Sequence, residues 1–290
     1  DSDMEWDFGT PWYRPTRILH VTSGGEYGWR PGTNKWNANY PDNLPAAVNV
    51  GQGSPTNFVS GANARFPEKY RNALFAFDWS FGIIYAIYPK SEGASYTATG
   101  EEFISGSPLP LTDGVIGPDG ALYFLTGGRR LESDMYRVYY AGSETKNTAV
   151  AKVELNEAQK TRKRLEAFHG KPTAGDVNQA WPYLKNNDRF IRYAARIAIE
   201  AQPLSEWADK TINEKDPVIL TNAAIGLARR GDVKFKKQLL TSLTNVNISL
   251  LTATQQLDLM RAIELVFTRM GAPDAAEKEA VAKLLNPIFP

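Results

Sequence analysis

Cysteine is absent from this chain, and histidine occurs only twice in its 290 residues. Without cysteine the chain can form no disulfide, no thiolate zinc site and no Cys-x-x-Cys-His haem attachment. No apolar run approaches the roughly 20 residues that a helix needs to cross a bilayer, and the first residues lack the pattern of a signal peptide. The sequence therefore predicts no transmembrane segment and no haem held by that motif.

An excess of charge of either sign is also missing. Lysine and arginine number 33 against 32 aspartates and glutamates, so the formal net charge is +1 at pH 7. A nucleic-acid-binding domain normally carries a basic patch or stripe, whereas these cations are spread along the chain. We therefore expect no nucleic-acid partner.

The composition changes near residue 141. Tryptophan is concentrated in the first 79 residues, whereas Ala, Leu and Lys dominate the end of the chain. This change predicts two domains, a β domain over residues 1–141 and an α-helical domain over residues 142–290. Because the chain starts abruptly at Asp1 in an extended pattern, we expect it to be a piece of a longer protein.

The first domain consists of short β-forming segments separated by turn residues. Strands are predicted at 18–22, 46–50, 72–79, 83–88, 96–104, 111–117, 121–126 and 135–140. Grouped in fours, they predict an incomplete β-propeller of roughly two and a half blades. Since a propeller closes with at least four blades, we expect the remaining blades to come from another chain or segment and to pair with strand 1–6 or 135–140.

The second domain has the apolar spacing of helices from about residue 154 onward. Helices are predicted at 154–168, 205–214, 217–230, 233–243, 252–270 and 274–285, and another is capped by Asp188 and ended by Pro203. Segments 188–195 and 216–232 resemble the first helices of irregular HEAT-like repeats. Stacked helix pairs of this kind usually serve as spacers or docking surfaces.

Two aromatic residues, Tyr27 and Trp29, bracket Gly28 on a loop that follows the first of these strands. Gly28 lets the backbone pass close to a ligand or to a neighbouring sheet. The two rings are therefore either a stacking surface for a ligand or a plug between sheets. His20 precedes this loop and either faces a cofactor channel or is structural, whereas His169 lies at a helix end and is not expected to be a ligand.

Four carboxylates alternate along the first residues, at Asp1, Asp3, Glu5 and Asp7. An extended chain places all four on one face, about 7 Å apart, where they repel one another. Three arrangements would relieve this repulsion: pairing with Arg14 and Arg17, plain solvation by water, or a calcium ion bound by their oxygens, although calcium usually needs six or more.

Several segments carry a family resemblance. Residues 25–30 (Gly-Glu-Tyr-Gly-Trp-Arg) resemble a loop of the β-propellers related to soluble PQQ-dependent sugar dehydrogenases. Residues 117–124 (Gly-Pro-Asp-Gly-Ala-Leu-Tyr-Phe) look like the blade signature of that family, and 65–67 with 73–75 match another. With segments 3–7 and 11–16, the chain most resembles the large exported haem-binding proteins of planctomycete-type bacteria, in which HEAT-like repeats follow the propeller.

This resemblance implies a periplasmic or secreted protein with Tyr27, Trp29, Arg30, His20 and Asp113 on a substrate or cofactor rim. It also implies PQQ and calcium as cofactors, and a c-type haem only outside this chain. The family's Arg-x-Arg-Asp segment corresponds here to 110–113, Pro-Leu-Thr-Asp. Asp113 is kept, but both arginines that hold the anionic PQQ are replaced, so we expect no catalysis by this chain alone.

Two functions follow from the resemblance. In the first, the complete propeller oxidises a sugar or polyol and passes electrons to a cytochrome domain outside this chain. In the second, the chain is a non-catalytic scaffold that binds glycan by stacking on its aromatic rings and docks proteins on its helices.

Overall fold

The computed structural model of the chain describes residues 14–29, 35–143, 154–170, 172–173 and 175–289. Their contacts divide them into a β unit and a helical unit. The β unit contains residues 14–20, 29, 35, 45–143 and 154, and the helical unit contains 21–28, 36–44 and the described residues after 154. The composition indicated a single division near residue 141, but two N-terminal segments belong to the helical unit.

The β unit is built from antiparallel strands. They are β1 (Thr16–Ile18), β2 (Val48–Gly51), β3 (Pro55–Ser60), β4 (Leu74–Asp78), β5 (Ile83–Glu92), β6 (Ser95–Ser105), β7 (Leu111–Ile116), β8 (Leu122–Gly128) and β9 (Leu131–Val138), with helix α1 (Glu68–Arg71) before β4. Within the described residues they form a two-stranded sheet β1-β2, a four-stranded sheet β3-β4-β5-β6 and a three-stranded sheet β7-β8-β9. Each larger sheet is a meander, because strands adjacent in the chain pair with each other.

Strand β3 was not predicted from the sequence. It starts at Pro55, which has no N–H to donate to a ladder, and the residues before it are rich in glycine and asparagine. Proline is tolerated at the first residue of an edge strand, and β3 is the edge of its sheet. The strand predicted at 18–22 was also placed wrongly, since β1 ends at Ile18.

Both larger sheets contribute to the core of the β unit. The rings of Phe75 and Phe77 on β4 are fully buried with Leu111 of β7 and Leu122 of β8. A Cβ atom at Gly114 of β7 would lie only 2.5 Å from the ring of Phe77. Glycine is therefore required where β7 passes over the four-stranded sheet.

The helical unit contains α2 (Glu157–Glu166), α3 (Asp176–Ala180), α4 (Arg189–Glu200), α5 (Ala208–Ile212), α6 (Pro217–Arg230), α7 (Lys236–Thr244), α8 (Ala253–Met270) and α9 (Ala275–Leu285). The Asp188 side chain accepts hydrogen bonds from the first turn of α4, and Asp216 does the same for α6. Gly231 ends α6 in the left-handed conformation. Of these helices, α3 was not predicted.

Alternate helices pack on one another, α2 on α4, α4 on α6 and α6 on α8. Helix α4 carries an apolar stripe whose members are almost completely buried: Ile191, Ala194, Ala195, Ala198 and Ile199. Small side chains on this stripe allow the neighbouring helices to approach closely. Among the helices described, none is both long and apolar enough to cross a membrane.

Candidate functional site

Tyr27 lies in the helical unit, and its ring is turned back onto its own segment. Its phenol oxygen accepts a hydrogen bond from the backbone N–H of Thr22 at 2.9 Å. The backbone N–H groups of Tyr27 and Gly28 both donate to one oxygen of Glu26, at 3.0 and 2.9 Å. These bonds fix the loop conformation from within.

The same loop is tied to helix α4. The Tyr193 hydroxyl donates to the carbonyl of Gly24 at 3.0 Å and accepts from the N–H of Glu26 at 2.9 Å. Gly28 is buried, and a Cβ atom there would lie 2.7 Å from the Cβ atom of Trp36. The close backbone approach that was inferred for Gly28 therefore occurs inside the protein.

Trp29 belongs to the β unit and is 40% exposed, so part of its indole is accessible. Arg30, which the sequence placed beside it on the rim, lies outside the described residues. Whether Trp29 binds a ligand remains a prediction.

His20 and Asp113 lie in the β unit, each with its own protein partners. The Nδ1 atom of His20 is 2.9 Å from the hydroxyl of Ser95, and its ring packs edge-on against Tyr96 with centroids 4.9 Å apart. These contacts favour the structural interpretation of His20. The exposed Asp113 carboxylate accepts from the Asn57 side chain at 2.6 Å and from the N–H of Gly114 at 2.8 Å.

The carboxylates proposed as a calcium site, Asp1, Asp3, Glu5 and Asp7, lie outside the described residues, so their neutralisation by arginine or calcium stays a prediction. Within the described ranges, no three His, Cys, Asp or Glu side chains are grouped closely enough to hold a metal ion.

The segment that resembles a blade signature ties strands β8 and β9 together through Asp119. One oxygen of Asp119 accepts from Arg137 at 2.8 Å and from the Tyr123 hydroxyl at 3.0 Å, and the other accepts from the N–H of Ala121. The Arg137 guanidinium, with the Ala121 N–H, holds the pKa of the Asp119 carboxyl at about 2. Asp119 therefore stabilises the sheet and does not act as a proton donor near neutral pH.

One face of the three-stranded sheet carries exposed apolar side chains. Val115 of β7, Leu125 of β8 and Met135 of β9 are 59%, 43% and 70% exposed. Leu125 pairs directly with Met135 on β9 and with Asp113 on β7, so these three side chains share one face of the sheet. Val115 lies on the same face, because it is two residues from Asp113 and side chains alternate along a strand. We call Val115, Leu125 and Met135 the open face.

In the helical unit, a buried ion pair connects segment 36–44 to helix α8. Asp42 is completely buried, and each of its oxygens accepts a hydrogen bond of 2.9 Å from the guanidinium of Arg261. That guanidinium stacks on Tyr40 and Trp36, with ring centroids 4.1 and 5.0 Å away. A bidentate, charge-assisted pair between aromatic rings is rigid and directional.

A second arginine holds the same segment. The Arg189 guanidinium donates to the backbone carbonyls of Ala38 and Asn43 at 2.6 and 2.8 Å. We call the contacts of Arg261 with Asp42 and of Arg189 with segment 36–44 the clamp. Sequence reasoning missed the clamp, because it joins residues about 150 to 220 positions apart. The available signal was a cluster of aromatic residues and one aspartate in a loop otherwise rich in asparagine and proline.

An apolar groove of about 350 Å³ lies beside the clamp, within the helical unit. Tyr40 and Arg261 form part of its wall, and the apolar residues lining it are Leu257, Met260, Ile263, Val281 and Leu285.

No protein-family model matches this chain, and no curated protein matches it. Among solved structures, a Thermus thermophilus protein described as a candidate oxidoreductase (glucose dehydrogenase) is similar to part of it, with a TM-score of 0.34 and 22% identity. The similarity covers 43% of this chain and 37% of that protein, so the chain spans about a third of its length. A score this low carries no argument about activity.

Proposed function

We propose that this chain is the C-terminal part of a β-propeller, followed by a HEAT-like helical domain, and that it serves as a binding scaffold within a longer, exported, dehydrogenase-like protein. The open face supports this proposal most directly. In a propeller, both faces of a sheet are covered by neighbouring blades. One face of the three-stranded sheet packs against the four-stranded sheet, whereas Val115, Leu125 and Met135 on the other are exposed.

Strand β9 supports the same proposal, because Leu131 to Arg137 are exposed along its whole length. Long exposed edges and apolar patches are normally covered in soluble proteins. We infer that the remaining blades cover the open face and pair with β9.

Catalysis by this chain alone is disfavoured by the chemistry around Asp113. Pro110 and Thr112 stand where the resembling family has arginines, and Asp113 already accepts hydrogen bonds from Asn57 and Gly114. In the complete protein, we propose that the propeller oxidises a sugar or polyol with PQQ and calcium and passes electrons to a c-type cytochrome domain beyond this chain. Export to the periplasm or medium belongs to the same proposal.

The scaffold function is tested with a glycan panel and the Trp29→Ala variant. We expect the chain to show no dye reduction with PQQ, calcium and sugars, and to bind one class of glycan through the exposed Trp29 indole. Trp29→Ala should weaken that binding by roughly 1–3 kcal/mol, as for a stacking anchor, with little change in melting temperature.

Phe58→Ala is the matched control, because Phe58 is a similarly exposed ring on β3, at 46%. It should leave glycan binding unchanged. If Trp29→Ala instead costs about 3–5 kcal/mol of stability and the unaltered chain binds no glycan, Trp29 is a plug and the glycan role is wrong. PQQ-dependent dye reduction by this chain would contradict the non-catalytic assignment.

A further inference from the structure

The turn between β8 and β9 consists of two arginines in a conformation that favours glycine. Gly128 pairs with Leu131, so the turn has two central residues, Arg129 and Arg130. Their φ angles are 47° and 69°, both in the left-handed region. Turns of this kind usually carry Asn-Gly or Asp-Gly, because a side chain with a Cβ atom is strained there.

A tryptophan holds the first of these arginines in place. The Arg129 guanidinium lies over the ring of Trp79, 4.9 Å from its centroid. The indole N–H of Trp79 donates to the carbonyl of Gly127 at 3.0 Å, which fixes the ring against the base of the hairpin. The planar donor group of Arg129 is thus oriented before any ligand arrives.

Among the described residues, neither Arg129 nor Arg130 forms an ion pair. Asp78, the residue before Trp79, does not pair with these arginines, because its carboxylate is bonded to backbone groups. It accepts hydrogen bonds from the backbone N–H groups of Ser54 and Phe81. Arg129 and Arg130 therefore place two adjacent positive charges, without an ion-pair partner among the described residues, at the tip of a strained hairpin.

Residues held in a strained left-handed conformation cluster at active sites and ligand-binding sites. Guanidinium forks match the oxygens of phosphate groups, and two of them balance a double negative charge. We propose that Arg129 and Arg130, with Arg129 positioned by Trp79, bind a doubly charged tetrahedral oxyanion of the phosphate-monoester class. The oxyanion is either free or carried on a sugar.

Calorimetric titration with inorganic phosphate, glucose 6-phosphate and glucose tests this site, at pH 7.5 and low salt. We expect both phosphate-bearing probes to bind and glucose alone not to bind at this turn. Tighter binding of glucose 6-phosphate identifies a phosphorylated sugar as the ligand, and equal binding identifies the anion alone. The double variant Arg129→Gln with Arg130→Gln should lose at least about tenfold in affinity, as expected for charged hydrogen bonds.

The control removes the same charge elsewhere, with Lys90→Gln and Lys237→Gln, two exposed lysines. It should keep the phosphate affinity of the unaltered chain. A second pair, Arg129→Asn with Arg130→Gly, favours the turn and should raise the melting temperature by roughly 2–4 °C while abolishing phosphate binding. The proposal is overturned if phosphate does not bind, if binding survives both arginine replacements, or if the lysine control loses as much affinity.

Discussion

At the scale of single residues, the interaction between Asp42 and Arg261 shows how a buried charge is tolerated. Removing both ions from water is costly, and the cost is offset only when geometry and hydrogen bonding are nearly ideal. Both Asp42 oxygens are bonded by Arg261, and a second guanidinium, that of Arg229, lies 4.0 Å away. The aromatic rings of Trp36 and Tyr40 exclude water from the Arg261 guanidinium.

Asp42→Asn should lower the free energy of unfolding by about 3–5 kcal/mol, because the buried Arg261 guanidinium then keeps only the half-exposed Glu264 carboxylate as a counter-charge. Urea unfolding followed by circular dichroism measures this. The matched control is Glu157→Gln, which removes an exposed carboxylate paired with Lys160 and should lower the free energy of unfolding far less, because solvent screens an exposed pair. Equal effects of the two changes would show that the buried pair contributes no more than an exposed one.

His169 is held in its neutral form inside the helical unit. Its Nε2 atom is 3.0 Å from the carbonyl of Ala194, which can only accept, so Nε2 carries the proton, and Nδ1 is 2.9 Å from the Ser23 hydroxyl. Burial lowers the pKa of His169 below its ordinary value, and the hydrogen bond to Ala194 offsets this only in part.

The unfolded chain therefore binds more protons than the folded chain as pH falls below about 6.5, so the free energy of unfolding should decrease there. His169→Gln should flatten this dependence in urea titrations between about pH 5 and pH 8. Ser23→Ala keeps the titrating ring and should retain the slope. A slope unchanged by His169→Gln would assign the pH dependence to other groups.

At the scale of elements, strands differ in how much the chain itself stabilises them. Strand β4 is paired on both sides and buries Phe75 and Phe77, whereas β9 is paired only with β8 among the described residues and is exposed along its length. The Asp119 carboxylate, bonded to Arg137, adds to the stability of β9 by joining it to the turn between β7 and β8. Strand β9 is therefore held in a regular conformation by its pairing with β8 and by this contact.

Met135→Lys on β9 should reduce association through the open face, because a charge there would be desolvated by any sheet that covers it. In sedimentation velocity, we expect the unaltered chain to form concentration-dependent oligomers and the variant to shift toward monomer. Val21→Lys, at another exposed apolar position (76%), should not change the distribution. An unaltered chain that stays monomeric at all concentrations would argue against an open face that needs covering.

At the scale of the whole molecule, the two units are interleaved along the chain. Residues 21–28 and 36–44 come from the N-terminal half but pack with the helices, through Tyr193, Arg189 and Arg261. A division at residue 141 would separate these segments from the helices that hold them. Residues 36–44 are therefore a structural component of the helical unit.

The sequence alone determined most of the elements of this protein. Strands β4 to β9 and helices α4, α6, α8 and α9 follow from local properties, namely β-forming side chains between turns, helical spacing of apolar residues, and capping by Asp188 or Asp216. These signals act over a few residues and lie within the element that they specify or directly beside it in the sequence.

Only the tertiary structure decided which elements belong together and what the candidate residues contact. The clamp of Asp42 with Arg261, the turning of Tyr27 onto Thr22, the pairing of Asp113 with Asn57 and the exposure of the face around Met135 all depend on how the backbone brings segments together within the described part of the chain. No local pattern encodes these, because a side chain's partner is set by how the backbone folds and not by its neighbours in sequence.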